Sequence, residues 1–414
     1  MTLFDSYHDE TNTNQFSGET VVLHSEYFNV TFQKALEDLG DKLDLKVLLT
    51  ITAQEIVFSQ FNKYFLERPK LSLADKKHVV EEYFAHCGFG TLSLKSISNK
   101  GGHADLQRDF YADAWKAHFG NRKDNQRGIG YFVCGYLCGA IEAIFGVQLG
   151  TFDGKQTQCQ SKGDEISRFD IFRGLRKKLN NSPGFGLQQE VDDSNRKATN
   201  ISDQKVVDPL KELQLTGFSN DDGYIKYFDT RWTRHYANYY SVITIKLLMM
   251  GEKKLGKGGF SKIKNILQQT GESNAYFVIG KVLNSDFWKN KIAPTLETDA
   301  TSKIQAILDV MTGFGFGRWQ LIDETPESLS FSVKNNPETN AFLKLVGNTK
   351  AALGFSTGGF LTGLVNYVTH EPKSKAINMA FIENLMAEKG PISYQESQSR
   401  MLGSEREEFK VNIH

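Results

Sequence analysis

Thiols and imidazoles are the side chains with the most chemistry to offer in this sequence. The four cysteines, Cys87, Cys134, Cys138 and Cys159, all lie in one stretch of the chain. Cys134 and Cys159 with His103 would make a soft sulfur and nitrogen donor set, the kind that zinc takes at tetrahedral positions. In "QCQSKGDEISRF" (158–169), Cys159 stands four positions ahead of a glycine in an acidic turn. That spacing fits a metal ligand, and equally a buried cysteine packing under the closing turn of a hairpin. His103 leads the nine histidines because it leaves a strand pair just ahead of the helix carrying Cys134. A solvated or helix-capping imidazole is the plainer reading of it. No cysteine or serine sits in a nucleophile motif, so no catalytic triad can be argued.

Other stretches compete. "MGEKKLGKGGFSK" (250–262) places Gly251, Gly256 and Lys257 at phosphate-loop spacing after a strand-like "VITIKLL". Gly258, however, stands where a magnesium-binding Ser or Thr belongs, which favours a basic solvent loop. "GFGFG" (313–317) precedes a strand, whereas a dinucleotide fingerprint follows one. "YFDTRWTRHYANYYS" (227–241) gathers Trp232, His235 and Tyr239 beside arginines, a set able to stack on a planar ligand or to dock one domain on another. Trp115 joins these candidates from the helix that follows His103.

The elements that would position these residues recur along the chain. "CGFGTLSLKSIS" (87–98) returns as "GFGRWQLIDE" (315–324), and "YFVCGYLCGAIEAIFG" (131–146) as "FSTGGFLTGLVNYVT" (355–369). The second match sets Gly135 over Gly359 and Gly139 over Gly363. "QCQSKGDEISRF" returns within "SQSRMLGSEREEF" (397–409), pairing Cys159 with Ser399 and Gly163 with Gly403. Three matches in one order predict a duplication. Each copy reads as helix, helix, strand pair, helix and closing hairpin, over about 45–170 and 275–410, with Ser72 and Thr298 as candidate N-caps. The second copy carries an extra amphipathic piece, 374–390. The expected division is a first domain at 20–179, a polar, turn-rich linker or long loop at 180–209, and a second domain at 210–414.

Composition narrows the class. The chain has 414 residues, enough for two or three domains, and 49 basic against 49 acidic side chains. This balance gives no global drive toward nucleic acid or an anionic membrane. The longest apolar runs fall short of a transmembrane span, and the polar, acidic N-terminus lacks the pattern of an export signal. Reduced thiols and a cytoplasmic location are the expectation.

The small-residue helix "CGYLCGAIEAIFG" followed by "TQCQSKGDEISRF" resembles the 4-vinyl-reductase domain, and "GFSTGGFLTGLV" with "ESQSRMLGSEREEF" resembles it more distantly. Similar domains form the sensory part of phenol-responsive bacterial regulators and, more remotely, subunits of the Golgi-tethering TRAPP complex. The resemblance implies an α+β fold, here in two copies, in which helices and a small antiparallel sheet enclose an apolar ligand pocket. It also implies a zinc site. The four ligand positions carry over as Cys134, Gln156, Cys159 and Ser167 in the first copy, and as Gly358, Glu396, Ser399 and Glu407 in the second. The set is depleted of thiolates, so zinc at less than one per chain is expected, with Cys159 kept for packing and His103, with Asp105, the candidate replacement donors. The expected ligand is a small hydrophobic molecule, aromatic or tetrapyrrole-like, held for sensing or carriage between the helix bearing Gly135 and Gly139 and the sheet of the first copy. An enzyme or enzyme subunit acting on such a ligand, with His103, Cys134 and Cys159 near the chemistry, is the second reading, and a structural scaffold the third. No ATPase or helix-turn-helix segment is evident, so a sensor would need a partner, another protein or a second copy of the chain.

Overall fold

The computed structural model describes residues 6–8, 12–123, 128–174, 203–370, 372, 376–388, 390 and 392–413. Each half begins with a tight β-hairpin that runs straight into a helix. The first has strands β1 (Ser6–His8), β2 (Thr13–Phe16) and β3 (Glu19–Ser25), then helix α1 (Glu26–Glu37). Ser17 and Gly18 both take positive φ, +50° and +85°, the geometry of a two-residue turn that matches strand twist. Ser25 ends the strand and caps the helix by accepting from the Phe28 N–H.

The first half continues with α2 (Thr52–Leu66), α3 (Leu73–His86), β4 (Gly90–Ser93), β5 (Gly101–Asp109), α4 (Phe110–Phe119), α5 (Tyr131–Phe145), β6 (Phe152–Gln158) and β7 (Ser167–Arg173). Ser72 and Asp75 form a reciprocal capping box at α3. A short helix follows, α6 (Asp208–Glu212), preceded by a helical turn at Asp203–Val207. The C-terminal end of the expected linker is therefore helical, while 180–202 lies outside the described residues.

The second half repeats the plan. Its hairpin is β8 (Ile225–Tyr227) and β9 (Thr230–Tyr236), leading into α7 (Ala237–Leu255). Then come α8 (Gly259–Asn284), α9 (Ala300–Gly313), β10 (Arg318–Thr325), β11 (Ser328–Lys334), α10 (Pro337–Leu345), α11 (Phe355–His370), α12 (Met379–Glu388), β12 (Ile392–Gln398) and β13 (Glu408–Ile413). Asp299, and not Thr298, caps α9, accepting from Ser302 N. The strand-like "VITIKLL" lies inside α7, so the glycine- and lysine-rich stretch after it joins two helices, without the preceding strand of a phosphate loop.

The chain is α+β, with three antiparallel sheets among the described residues. Two have the same order, β4-β5-β7-β6 and β10-β11-β13-β12. Both are irregular at one matching place, Gln156 to Gln158 and Glu396 to Gln398. Gly163 and Gly403 occupy corresponding turns, each ending a single 3-10 turn at φ +102° and +92°. The third sheet, β1-β2-β3-β9-β8, joins the halves at its centre, where Val21 faces Tyr236 and Ser25 faces Trp232.

The apolar cores cross between the halves. Tyr239, Tyr240 and Ile243 of α7 pack with α2, α3 and α5, whereas Leu23 and Tyr27 pack with α8, α9 and α11. The domain start expected at residue 20 falls inside β3, and the hairpin strands before it belong to the same sheet. Among the described residues, no helix is long and apolar enough to cross a membrane.

Candidate functional site

The hairpin-to-helix junction places one histidine at the same point of each half. His24 and His235 each stand one residue before the end of their strand, β3 and β9. Both are buried. Their surroundings differ.

In the first half the space around the imidazole is filled. His235 Nε2 lies 2.8 Å from the Tyr111 hydroxyl. The ring meets Phe132 at 4.3 Å between centroids, Tyr240 at 4.8 Å, Tyr239 at 5.0 Å and Phe89 at 5.4 Å. Tyr111 comes two residues after Asp109, the N-cap of α4, and Phe132 is the second residue of α5.

In the second half the corresponding residues are short or polar. Glu338 comes two residues after Asn336, the N-cap of α10, and Ser356 is the second residue of α11. With Tyr111 replaced by Glu338 and Phe132 by Ser356, a cavity of about 100 Å³ opens there. Phe28, Phe32, Phe316, Trp319 and Phe360 form its apolar walls, and His24, Asn274, Glu338 and Ser356 its polar points. His24 stacks on Phe28 at 4.5 Å and meets Phe316 edge-on at 5.2 Å. Its Nδ1 has no hydrogen-bond partner among the described residues.

The cavity carries no formal charge at neutral pH. Burial pushes the His24 imidazole down to about 3, so it stays neutral. Burial, reinforced by the neighbouring Glu396 carboxyl, pushes Glu338 up to about 8, leaving it a protonated acid able to donate a hydrogen bond. An apolar box with a neutral imidazole and a neutral acid suits an uncharged molecule with one hydrogen-bonding group.

No known family's sequence profile matches the chain, and no curated protein matches it. Among solved structures, the phenol-responsive sensory domain of the transcription activator PoxR, crystallised with phenol, is similar at 14% sequence identity. The match covers 50% of this chain and 88% of that one, with a TM-score of 0.35. At that distance no residue correspondence is carried over from it.

The residues expected to bind a ligand in the first half do not line the cavity. Gly135 and Gly139 leave no room: a Cβ on either would sit 2.1 Å from the Thr50 carbonyl oxygen or 2.4 Å from that of Gln54. Their absent side chains let α5 press against α2, and Gly359 and Gly363 do the same for α11 against α8. Trp115 is buried under the Arg122 guanidinium, 4.2 Å from its ring centroid. Trp232 is a core residue whose Nε1 donates to the Tyr227 carbonyl at 2.9 Å. His235 and Tyr239 lie in the filled counterpart of the cavity.

The proposed metal donors are not gathered either. Among the described residues, no group of three or more His, Cys, Asp or Glu is arranged to hold a metal ion. His103 projects from β5 with its side chain 42% exposed, 4.0 Å from Asp105. Cys134 lies beside Cys138 on α5, under Gly154. Cys159 is buried, its Sγ 3.0 Å from the Ser161 hydroxyl. The other positions of the expected set are hydrogen-bonding struts. Gln156 Oε1 accepts from Gly130 N at 3.0 Å, as Glu396 Oε2 does from Gly354 N at 2.9 Å. Ser167 Oγ accepts from Gln160 N at 3.2 Å, and Glu407 accepts from Asn336 Nδ2 at 2.9 Å. Cys159 thus packs beneath the turn that Gly163 closes.

Reading from the sequence missed His24, Glu338 and Ser356. The matches that define the repeat begin downstream of the hairpins, and extending the comparison upstream sets "LHSEYFN" against "RHYANYY", with the histidines in register.

Proposed function

We propose that this chain binds a small, neutral, mainly apolar molecule, one aromatic ring or its equivalent, in the cavity beside His24, for sensing or carriage. The observation that carries this reading is the replacement of the Tyr111 and Phe132 pair by Glu338 and Ser356, which leaves the second half hollow where the first is solid. An apolar cavity of roughly this scale takes up benzene-sized molecules from water. The repeated helix and sheet plan, with the motif likeness of each copy, supports a tandem 4-vinyl-reductase-like protein, with copies at 20–179 and 210–414 exchanging their opening hairpins and helices.

Phenol, a neutral ring with one hydroxyl, is the probe. At a hundredfold excess over its dissociation constant it should stabilise the folded chain by about 2.7 kcal/mol and raise the melting temperature accordingly. Ser356→Phe restores the large side chain of the first half and should abolish that rise. An unchanged rise in a folded Ser356→Phe protein would place binding elsewhere.

A further inference from the structure

A second cleft, of about 280 Å³, opens between α4, α8 and the start of α12, lined by Glu26, His118, Phe277, Lys281, Ile377 and Met379. It is separate from the cavity beside His24 and shares no lining residue with it. Its mouth is formed by the exposed residues Ala117, Asn378 and Ala380.

The cleft is arranged for negative charge. Glu26 at its base is already committed: Arg231 Nε lies 2.5 Å from its Oε2, and the Thr230 hydroxyl donates to Oε1 at 3.1 Å. Burial raises its carboxyl, but His118 and Arg231 outweigh that and hold it below the usual carboxylate range. His118 has a side chain only 8% exposed and lines the cleft; its Nε2 lies within ion-pair distance of Glu26 but makes no close hydrogen bond among the described residues. That nitrogen stands 3.6 Å from Glu26 Oε1, beyond ordinary hydrogen-bond reach. Lys281 Nζ donates to the Asp229 carbonyl at 2.8 Å, which leaves two of its three protons for another acceptor. The ten-residue helix α12 points its N-terminus here, capped by Asn378, whose Oδ1 accepts from Phe381 N at 3.0 Å. The N–H groups of Met379 and Ala380, in its first turn, have no acceptor within the helix.

The remaining walls are apolar. Phe277 is buried with its ring 5.6 Å from His118, and Ile377 seats on Gly280. We propose that this cleft is a second ligand site, which takes a monocarboxylate with a compact apolar body. The carboxylate would sit among Lys281, His118 and the α12 N-terminus, with the body against Phe277 and Met379.

Benzoate is the probe, added to the full-length protein carrying ¹³C-methyl methionine. Met379 reports on this cleft and Met311, which lines the other cavity, reports on that one. Benzoate should shift the Met379 methyl with saturation. Lys281→Met, at a partly exposed position, should weaken the effect about tenfold or more, as loss of a charge-assisted contact does. Benzamide, of the same shape but uncharged, should bind more weakly by a similar factor. The assignment is overturned if Met379 does not respond up to about 10 mM benzoate, well into the range of weak sites. It is equally overturned if only Met311 responds, or if Lys281→Met and benzamide bind as the wild type binds benzoate.

Discussion

The imidazoles of His24 and His235 meet edge to face, with ring centroids 6.3 Å apart and planes at 78°. They are corresponding residues of the two copies, brought together because β3 and β9 pair at the centre of one sheet. Each faces the other half's helices, so each looks into a space framed by both. Whether that space is empty depends on two side chains supplied from outside the sheet.

This dependence makes the first half convertible. Phe132 is 1% exposed and packs on His235, so Phe132→Ala should cost about 3–5 kcal/mol and leave a ring-sized void. Benzene should return part of that loss by occupying the void. The measurement is the melting temperature of the variant with and without benzene, in a Ser356→Phe background so that the natural cavity contributes nothing. A variant whose melting temperature benzene does not raise would show that the first half collapses around the deletion.

The second half's buried acids set a pH dependence. Burial, with mutual repulsion, pushes Glu338 and Glu407 up to about 8 from an ordinary 4.5. Between those values the folded chain holds protons that the unfolded chain releases, so stability falls as pH rises. His24 works oppositely: its value is lowered from 6.5 to about 3, so its contribution is complete above 6.5 and lost below it. Burial also pushes Glu19 and Glu142 of the first half up to about 7, and they act in the same direction, so the window from pH 7 to 8 is the one that reports chiefly on Glu338 and Glu407. Urea midpoints should fall across it, and Glu407→Gln, which keeps an acceptor for Asn336, should flatten the decline.

Glycines that look alike in the sequence should respond differently. A Cβ at Gly135 would strike the α2 backbone, so Gly135→Ala should cost about 1–3 kcal/mol and Gly135→Asn more. Gly163 has open space around its Cβ position and φ of +102°. Gly163→Ala should cost about 1–2 kcal/mol, while Asn, which tolerates that backbone region better, should recover part of it. Chemical denaturation of the four variants decides the matter; similar losses for both asparagine variants would contradict it.

Periodicity and repetition made the sheets and helices legible. The glycine-punctuated strand openings, the small-residue helices and the closing turns were all found in corresponding elements, because each is dictated by local backbone geometry. The hollow was not legible, since it is an absence created where α10 and α11 approach a strand more than 300 residues earlier in the chain. The same small residues that suggest a pocket in one dimension serve close helix packing in three. The positions singled out for a metal were traced to corresponding turns, where hydrogen bonds donated by Asn336 Nδ2 to Glu407 and by Gly130 N to Gln156 join the elements.

The crossing of the cores bears on how the halves depend on each other. β3 and β9 form the central ladder of the shared sheet, Tyr236 Oη donates to Gln60 at 2.6 Å, and Asn29 Nδ2 donates to Thr233 at 2.9 Å. Tyr239, Tyr240 and Ile243 complete the first core, while Tyr27 helps complete the second. A protease-cleavage sequence inserted between residues 185 and 186, in the polar stretch that separates the repeats, should therefore yield two fragments that stay together. After cleavage the chain should elute as one species of unchanged size in gel filtration and unfold in urea in a single transition. Each fragment expressed alone would lack the opening hairpin and helix that its partner contributes to its core, and should be insoluble or aggregate. Fragments that separate on cleavage, or fold singly with their own near-ultraviolet dichroism, would show that each half closes its own core in solution.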